Sequence, residues 1–201
     1  MKLLTLIATS ALLLLASCAS APSVTDSWRD PQASDFRMRK TLVFASSSEE
    51  SFRRVAEDVL VRDLGPQNAT PSYSVLAASD FADPKTAAQA ARAKGFESAL
   101  VMRVVEVDKL EQHVPAAYSP IFLHFSDQNN STAFYWPTRF DEGYTYMEKT
   151  YRVETNLYSL ADDKLIWSGV VRVRDPGSVR ELAEENSEAV RKELRAQKLL
   201  D

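Results

Sequence analysis

The fold is decided by residues 151–174, which read YRVETNLYSLADDKLIWSGVVRVR. Apolar and polar side chains alternate before and after a short polar turn at residues 161–164. Alternation is typical of half-buried strands, because successive side chains of a strand point to opposite faces. The pattern predicts one strand over residues 144–158 and a second over residues 165–174, joined as an antiparallel hairpin.

The elements before this hairpin are predicted to alternate between helix and strand. Residues 98–107 are apolar on both faces at their start, which is typical of a central strand. Asp83-Pro84 predicts the start of an alanine-rich helix, because aspartate caps free N–H groups and proline fits the first turn. This helix is expected to end at Gly95, and residues 72–77 predict a further strand before it.

A longer amphipathic helix is predicted upstream, after a short apolar strand at residues 41–45. A serine at position 46 or 47, with a glutamate three residues later, predicts a capping box at its start. Gly65 is expected to end it by adopting the left-handed conformation. The apolar face has the helical period of 3.6 residues and comprises Phe52, Val55, Ala56, Val59, Leu60 and Leu64.

A final amphipathic helix is predicted after the hairpin, beginning at Asp175-Pro176. Its apolar face comprises Val179, Leu182, Ala183, Val190 and Leu194. The order of elements is therefore β-α-β-α-β-β-α with an inserted segment, or β-α-β-α-β-β-β-α if a further strand forms. Either order predicts an α/β (α+β) domain with a single mixed β-sheet of about five strands, covered by about three helices.

The inserted segment, residues 113–146, is unusually aromatic. It holds nine of the 19 aromatic residues of the chain, and its three prolines argue against a central strand. One interpretation is that the rings extend the hairpin and pack over an exposed end of the sheet. Another is a docking arm, since aromatic residues concentrate where proteins bind each other. The expected partner contacts are Tyr118, Phe122, Phe125, Tyr135 and Trp136. A third interpretation is an apolar ligand pocket lined by Tyr118, Phe134 and Trp136.

The N-terminus reads as an export signal. Lys2 precedes an apolar run from Leu3 to Leu15, which is too short to span a bilayer comfortably. The run ends in Leu-Ala-Ser-Cys, with the cysteine at position 18, and resembles a bacterial lipobox. This resemblance implies cleavage before Cys18, a lipid on its sulfur and acylation of the new amino terminus. Ordinary secretion is the alternative, although Pro22 directly follows the small-residue site that it would use.

These observations predict three regions. Residues 1–17 form a lipoprotein signal peptide, and residues 18–36 form the lipidated N-terminus and a tether. Residues 37–201 form a periplasmic α/β domain that contains the aromatic insert. In lipoproteins that the chain resembles, non-acidic residues after the cysteine imply delivery to the outer membrane, as Ala19 and Ser20 are here.

Composition and motifs favour a protein without catalysis. The chain carries 24 basic and 28 acidic residues with a net charge of −4, so no basic surface for nucleic acid is expected. His113 and His124 lack the spacing of metal ligands, and no nucleophile or phosphate-loop motif occurs. We therefore expect no cofactor, no metal and no enzyme activity. An unrecognised hydrolase would need two converging carboxylates, for which the candidates are Asp80, Glu106, Asp108 and Glu154.

The chain resembles an uncharacterised family of bacterial lipoproteins, the domain of unknown function 4136 type. The resemblance is carried by the lipobox, by residues 27–31 (SWRDP), by residues 155–158 (TNLY), by residues 164–169 (KLIWSG) and by the closing helix. It implies an outer-membrane lipoprotein but supplies no catalytic residue. We expect an accessory or assembly factor that contacts an envelope protein or a second copy of itself. The alternative is a periplasmic module that binds a small hydrophobic or envelope ligand.

The lipid anchor gives the first testable prediction. The native chain is expected to begin at Cys18 with acyl chains, each buried CH₂ contributing about 0.8 kcal/mol to membrane binding. Cys18→Ala is expected to leave an uncleaved precursor, because the lipidated sulfur is what the processing step requires. Intact-mass analysis of the membrane fraction measures both products.

A matched variant separates processing from sorting. Ala19→Asp is expected to be lipidated normally but retained in the inner membrane. An unmodified thiol or an intact leader in the native protein would contradict the anchor.

Overall fold

The structure, a computed structural model, describes residues 22–81, 83–127 and 130–201. For residues 78, 118–127 and 130–141 the description is of the backbone alone. The strands are β1 (Val24–Arg29), β2 (Thr41–Ser46), β3 (Ala69–Pro71), β4 (Ser98–Val114), β5 (Ala117–Asp127), β6 (Asn130–Asp141), β7 (Tyr144–Ser159) and β8 (Lys164–Arg174). The α-helices are α1 (Glu50–Leu64), α2 (Pro84–Ala93) and α3 (Val179–Ala196). Two short 3-10 helices lie at Ser72–Ser74 and Ala78–Phe81.

Six strands form one mixed sheet in the order β1-β8-β7-β4-β2-β3. β2 is parallel to β3 and β4, whereas β4–β7, β7–β8 and β1–β8 are antiparallel pairs. β5 and β6 form a separate antiparallel pair. The predicted hairpin is present as β7 and β8, and the mixed sheet with three helices confirms the expected fold class.

The main core lies between one face of the sheet and the helices α1 and α3. Alternate residues of the central strands supply its floor, because the side-chain period of a strand is two. Each large side chain that is buried here contributes on the order of 1.5–3 kcal/mol. The largest fully buried side chains include Trp167, Leu60, Leu100, Met102, Leu157 and Leu194.

Helix α2 covers part of the opposite face. Leu42 and Val43 are successive residues of β2, so their side chains point to opposite faces, and only Val43 belongs to the main core. Leu42 packs with Leu76, Ala91 and Leu160 in a second, smaller cluster. α2 begins as predicted, since the Asp83 carboxylate accepts hydrogen bonds from the backbone N–H groups of residues 85 and 86.

The domain begins earlier than the expected boundary at residue 37. Val24–Arg29 is an edge strand paired with β8, so this part of the expected tether belongs to the sheet. Trp28 lies in that strand opposite Ser168 and is 48% exposed. The polar composition of this segment suggested a linker, but an edge strand that bonds on one side tolerates polar residues. Cys18 and the signal peptide lie outside the described residues.

Three local predictions were wrong. The α1 start carries no side-chain cap, and Ser47 instead accepts a hydrogen bond from the N–H of Glu49. Residues 72–77 are not a strand, because the chain pairs with β2 only over residues 69–71 and then enters a 3-10 helix. The last helix is capped by Ser178 rather than by Asp175, which adopts a positive φ of 49° in the turn before it.

A buried carboxylate joins α1 to the sheet. Glu57 is completely buried and accepts hydrogen bonds from the N–H of Ala45 (3.1 Å), the hydroxyl of Ser72 (2.7 Å) and the N–H of Tyr73 (3.2 Å). These bonds satisfy groups at the end of β2 and in the 3-10 helix. Burial raises the pKa of Glu57, although the three hydrogen bonds oppose the shift.

This arrangement predicts a pH-dependent stability. Between the unfolded pKa and the raised folded pKa of Glu57, the folded state holds more protons than the unfolded state. The free energy of unfolding is therefore expected to fall as pH rises through this window. Glu57→Gln should flatten that slope, and Glu57→Ala should cost roughly 3 kcal/mol, because the three donors lose their acceptor. Urea denaturation over a pH series measures both effects.

Glu50→Gln is the matched control on the same helix. Its carboxylate is exposed, and Arg54 lowers its pKa through a hydrogen bond and charge attraction. The control should therefore leave the falling slope in place. A slope unchanged by Glu57→Gln would contradict the assignment.

A tight contact in β8 fixes the central tryptophan. Trp167 and Gly169 are both buried on the core face, two residues apart along the strand. A Cβ atom at position 169 would overlap two ring carbons of Trp167. The glycine thus provides the space in which the indole lies flat against the strand.

Gly169→Ala is expected to lower the free energy of unfolding by roughly 1–3 kcal/mol, because the methyl group overpacks the core beside Trp167. Thermal or urea denaturation measures the change. Ser168→Ala, on the opposite face of the same strand, should change stability by less than about 0.5 kcal/mol. Equal effects of the two substitutions would contradict the overlap.

Candidate functional site

The expected partner residues lie in the hairpin of β5 and β6. Backbone pairing places Phe122 opposite Tyr135, Phe125 opposite Thr132, and Trp136 opposite Ile121, while Tyr118 lies opposite Phe140. Their side chains lie outside the description. The aromatic insert is therefore a two-stranded sheet by its backbone, and the choice between packing, docking and a pocket stays a prediction.

β4 and β7 project from the sheet as a two-stranded ribbon that leads into this hairpin. β2 pairs with β4 only as far as Arg103, and β8 pairs with β7 only from residue 150 onward. The six residue pairs from Lys109–Lys149 to Val114–Tyr144 have no further strand beside them in the main sheet. They extend about 20 Å at roughly 3.3 Å per residue. We call this ribbon, together with β5 and β6, the arm.

One face of the ribbon is apolar and aromatic. Leu110 and Val114 alternate along β4, and Tyr144 and Tyr146 alternate along β7, so the register brings all four to the same face. Leu110 and Tyr144 are each 60% exposed, and the two tyrosine rings lie 6.1 Å apart. We call these four residues the arm patch. Val114 is half-buried and the other three are exposed, so contact with another molecule would bury this surface.

Carboxylates proposed for a hydrolase pair are held by arginines. Glu106 binds Arg152 across the β4–β7 pair. Glu154 binds the Nε of Arg103 at 2.6 Å, also across that pair. These ion pairs link neighbouring strands.

Asp80 and His113, the other candidates described here, make local contacts. Asp80 accepts a hydrogen bond from the N–H of Ala77. His113 contacts the hydroxyl of Thr145 at 3.3 Å across the ribbon. Within residues 22–81, 83–127 and 130–201, no group of three potential metal ligands converges.

A groove of about 650 Å³ lies between α2 and the second face of the sheet. Its floor is made by β2, β4 and β7, and one wall is made by the alanines of α2 at positions 87, 88 and 91. The opposite wall includes Phe81, whose ring stacks on Phe44 with centroids 5.3 Å apart. We call this space the α2 groove.

The floor of the groove consists of three rows set by the register. The row beneath the second cluster is Leu42, Ala99 and Tyr158, the middle row is Phe44, Val101 and Asn156, and the outer row is Ser46 and Arg103. The outer row lies nearest the arm. Ser159 and Asp163 also line the groove beyond its inner row, so polar groups lie at both ends.

Asn156 lines this groove, and its side-chain oxygen is enclosed by the protein. The residue is 7% exposed and lines the groove, and its Nδ2 donates to the Glu154 carboxylate at 3.2 Å. The opposite amide orientation would place a carbonyl against a carboxylate, so the donor assignment follows from charge. Oδ1 is buried and has no hydrogen-bond partner. A buried carbonyl without a donor costs about 1–3 kcal/mol.

Sequence reasoning missed the groove. Its polar residues occur at alternate strand positions, where solvated or ion-paired side chains are the ordinary expectation. The groove depends on the short side chains of α2, and the alanine-rich composition of this segment predicted only a helix.

No helix among the described residues is long and apolar enough to cross a membrane. Comparison with known protein families finds no match, and comparison with curated proteins finds none either. Among solved structures, the chain is similar to two PelC dodecamers from Paraburkholderia phytofirmans, one of them a leucine-to-methionine variant. The variant has a TM-score of 0.44 and 12% identity, covering 88% of this chain and 98% of that chain. The other has a TM-score of 0.43 and 13% identity, with coverages of 88% and 97%.

A third similar structure is a PDZ domain protein from Parabacteroides distasonis. It has a TM-score of 0.36 and 13% identity, covering 85% of this chain and 34% of that chain. At these values the similarities assign no family, partner or activity to the chain.

Proposed function

We propose that this protein is a lipid-anchored accessory factor of the outer membrane that acts through protein contacts and not through catalysis. The lipobox supports the anchor. The observation that carries the contact role is the arm, which extends a narrow ribbon and an aromatic-rich hairpin away from the helices and the core.

The arm exposes apolar area that a partner would bury. A two-stranded ribbon is marginally stable alone in water, because it buries little apolar area. Leu110 and Tyr144 are each 60% exposed, and Tyr146 is 41% exposed. Tyrosine and tryptophan are enriched at the energetic centres of protein interfaces. Contact with an apolar surface would bury the arm patch and order the ribbon.

The charge pattern of the ribbon favours one face for this contact. The arm-patch face carries Glu148, which Arg174 binds at 3.2 Å. The reverse face carries Lys109 directly opposite Lys149. Two adjacent lysines repel each other and are strongly hydrated, so this face is the one expected to stay in water. The partner we propose is another envelope protein that presents an apolar surface to the arm patch.

Site-specific photocrosslinking in intact cells tests this contact. A photoreactive residue at Tyr146 is expected to form an adduct of defined mass with the partner. Combining it with Leu110→Ser and Tyr144→Ser should reduce the adduct at least tenfold, because the double change removes most of the exposed apolar area of the patch. Mass spectrometry identifies the adduct, and the thermal transition of the purified variant checks that the core is intact.

Val179 is the matched control position. It is apolar and 38% exposed but lies at the start of α3, outside the ribbon. An adduct that forms equally at positions 146 and 179, or that survives the double substitution, would contradict the proposal. An adduct with a second copy of this chain would replace the proposed partner with self-association.

A further inference from the structure

The outer edge of β4 is unpaired along the arm. β2 pairs with β4 only as far as Arg103, and one bulge follows between residues 104 and 106. From Glu106 to Val114 the register with β7 is unbroken, and no other strand in the described part of the chain pairs with the opposite edge of these nine residues. Their outward N–H and C=O groups are therefore available to a further strand over about 30 Å.

The other edges of the sheet are less suited to such pairing. β3 contains only three residues, and its Pro71 has no N–H to donate. β1 carries a bulge near its start. The outer edge of β7 is unpaired only over residues 144–149, and the C=O of Lys149 accepts the N–H of Asp175. The unpaired β4 edge is longer and contains neither a proline nor a bulge.

The charges on this edge restrict which strand fits beside it. Directly opposite residues of an antiparallel pair point to the same face, so their charges meet. Lys109 and Glu111 lie two residues apart on one face of β4. An antiparallel strand therefore fits best when it presents an acid opposite Lys109 and a base opposite Glu111. The same edge of a second copy does so about a two-fold axis at Leu110, because Lys109 of each copy then lies opposite Glu111 of the other.

The self-pairing centred on Leu110 also fits better than its neighbours. Leu110 is the midpoint of residues 106–114, so this register alone pairs all nine residues. Centres at residues 107, 108, 109 and 111 each place like charges directly opposite, which is destabilising. A centre at residue 112 sets Lys109 opposite Pro115, beyond the end of β4. The other opposite pairs of the Leu110 register bring no like charges together, and they are Glu106–Val114, Val107–His113 and Asp108–Gln112.

The same register offsets a repulsion within one chain. Lys109 lies directly opposite Lys149 in the ribbon, and like charges so placed weaken a strand pair. The two-fold pairing sets Glu111 of the second copy on the other side of Lys109, at a Cβ spacing of about 5 Å. An acid thus enters the row that now holds two lysines.

We infer that two copies of this protein join through the β4 edges of their arms, antiparallel and centred on Leu110, to form one four-stranded ribbon. The two-fold axis is perpendicular to the ribbon, so both arm patches lie on one face and meet at the paired Leu110 side chains. The contact is made by the edge of β4 and leaves the arm patches exposed. The inference therefore does not rest on the proposed envelope partner.

Single cysteines along the edge test the register in the full-length, membrane-bound chain. Leu110→Cys is expected to give a disulfide-linked dimer on oxidation with copper phenanthroline, because residue 110 faces itself at a spacing that a disulfide can bridge. Asp108→Cys is the matched control on the same strand and face. Its two copies lie four residues apart along the strands, about 13 Å, and should not be linked.

A mixture of two variants gives the sharpest test of this register. Co-expressed Asp108→Cys and Gln112→Cys chains are expected to form a mixed dimer, although neither variant forms a dimer with itself. The parent chain measures any background from Cys18.

Charge reversal tests the recognition between the two copies. In sedimentation equilibrium of the detergent-solubilised chain, Lys109→Glu is expected to weaken the dimer about tenfold, because acids then face each other in both symmetric pairs. Glu111→Lys should have the same effect by setting lysines opposite each other. Combining the two substitutions should restore the affinity to within about threefold of the parent. All these positions lie outside the core, and the thermal transition of each variant reports its folding.

Four outcomes would overturn the inference. They are a monomer at every concentration, equal crosslinking at positions 108 and 110, crosslinking that is strongest with Gln112→Cys alone, and a double charge reversal that stays as weak as the single ones.

Discussion

The pairing of β4 with β7 is the interaction on which the rest of the structure depends. The register runs without a break in partners from Ser98–Ser159, beneath the helices, to Val114–Tyr144 in the arm, apart from one bulge between residues 104 and 106. Inside the domain the two strands form the middle of the sheet. Outside it they are the whole of the ribbon. The core therefore holds the base of the arm.

The two faces of the sheet are covered unequally. One face holds the main core, and the other holds the α2 groove. Long helices α1 and α3 close one face with large buried side chains, and Glu57 fixes α1 to the end of β2. Short α2 closes the other face with alanines and leaves the groove. A sheet whose first face already supplies a close-packed core can leave its second face partly open, because the hydrophobic contribution grows with the apolar area buried.

Prediction from the sequence succeeded where periodicity and burial agree and failed where tertiary contacts decide. The β7–β8 hairpin, α1 and the start of α2 follow from alternation, helical period and the Asp83-Pro84 pair. β1 could not be recognised, since its polar residues form a strand only because β8 offers a free edge. Residues 72–77 have strand-like composition. However, the Glu57 carboxylate accepts hydrogen bonds from the hydroxyl of Ser72 and the N–H of Tyr73, and these bonds stabilise a 3-10 turn. The groove depends on Asn156 and Leu42 being brought together from strands more than 100 residues apart, which no local pattern records.

The direction of β1 has a geometric consequence for the attached chain. Val24 lies level with Val153 and Val104, where β4 leaves the sheet toward the arm, so the polypeptide enters β1 from that end. On the proposed anchorage, five residues separate Cys18 from Val24, and the six steps between their Cα atoms give a leash of at most about 20 Å. β4 continues for ten residues beyond Val104, roughly 33 Å in the same direction. Because this leash is shorter than the arm, the domain could not stand with the arm perpendicular to its leaflet, and the arm would lie along the lipid surface, within reach of proteins embedded there.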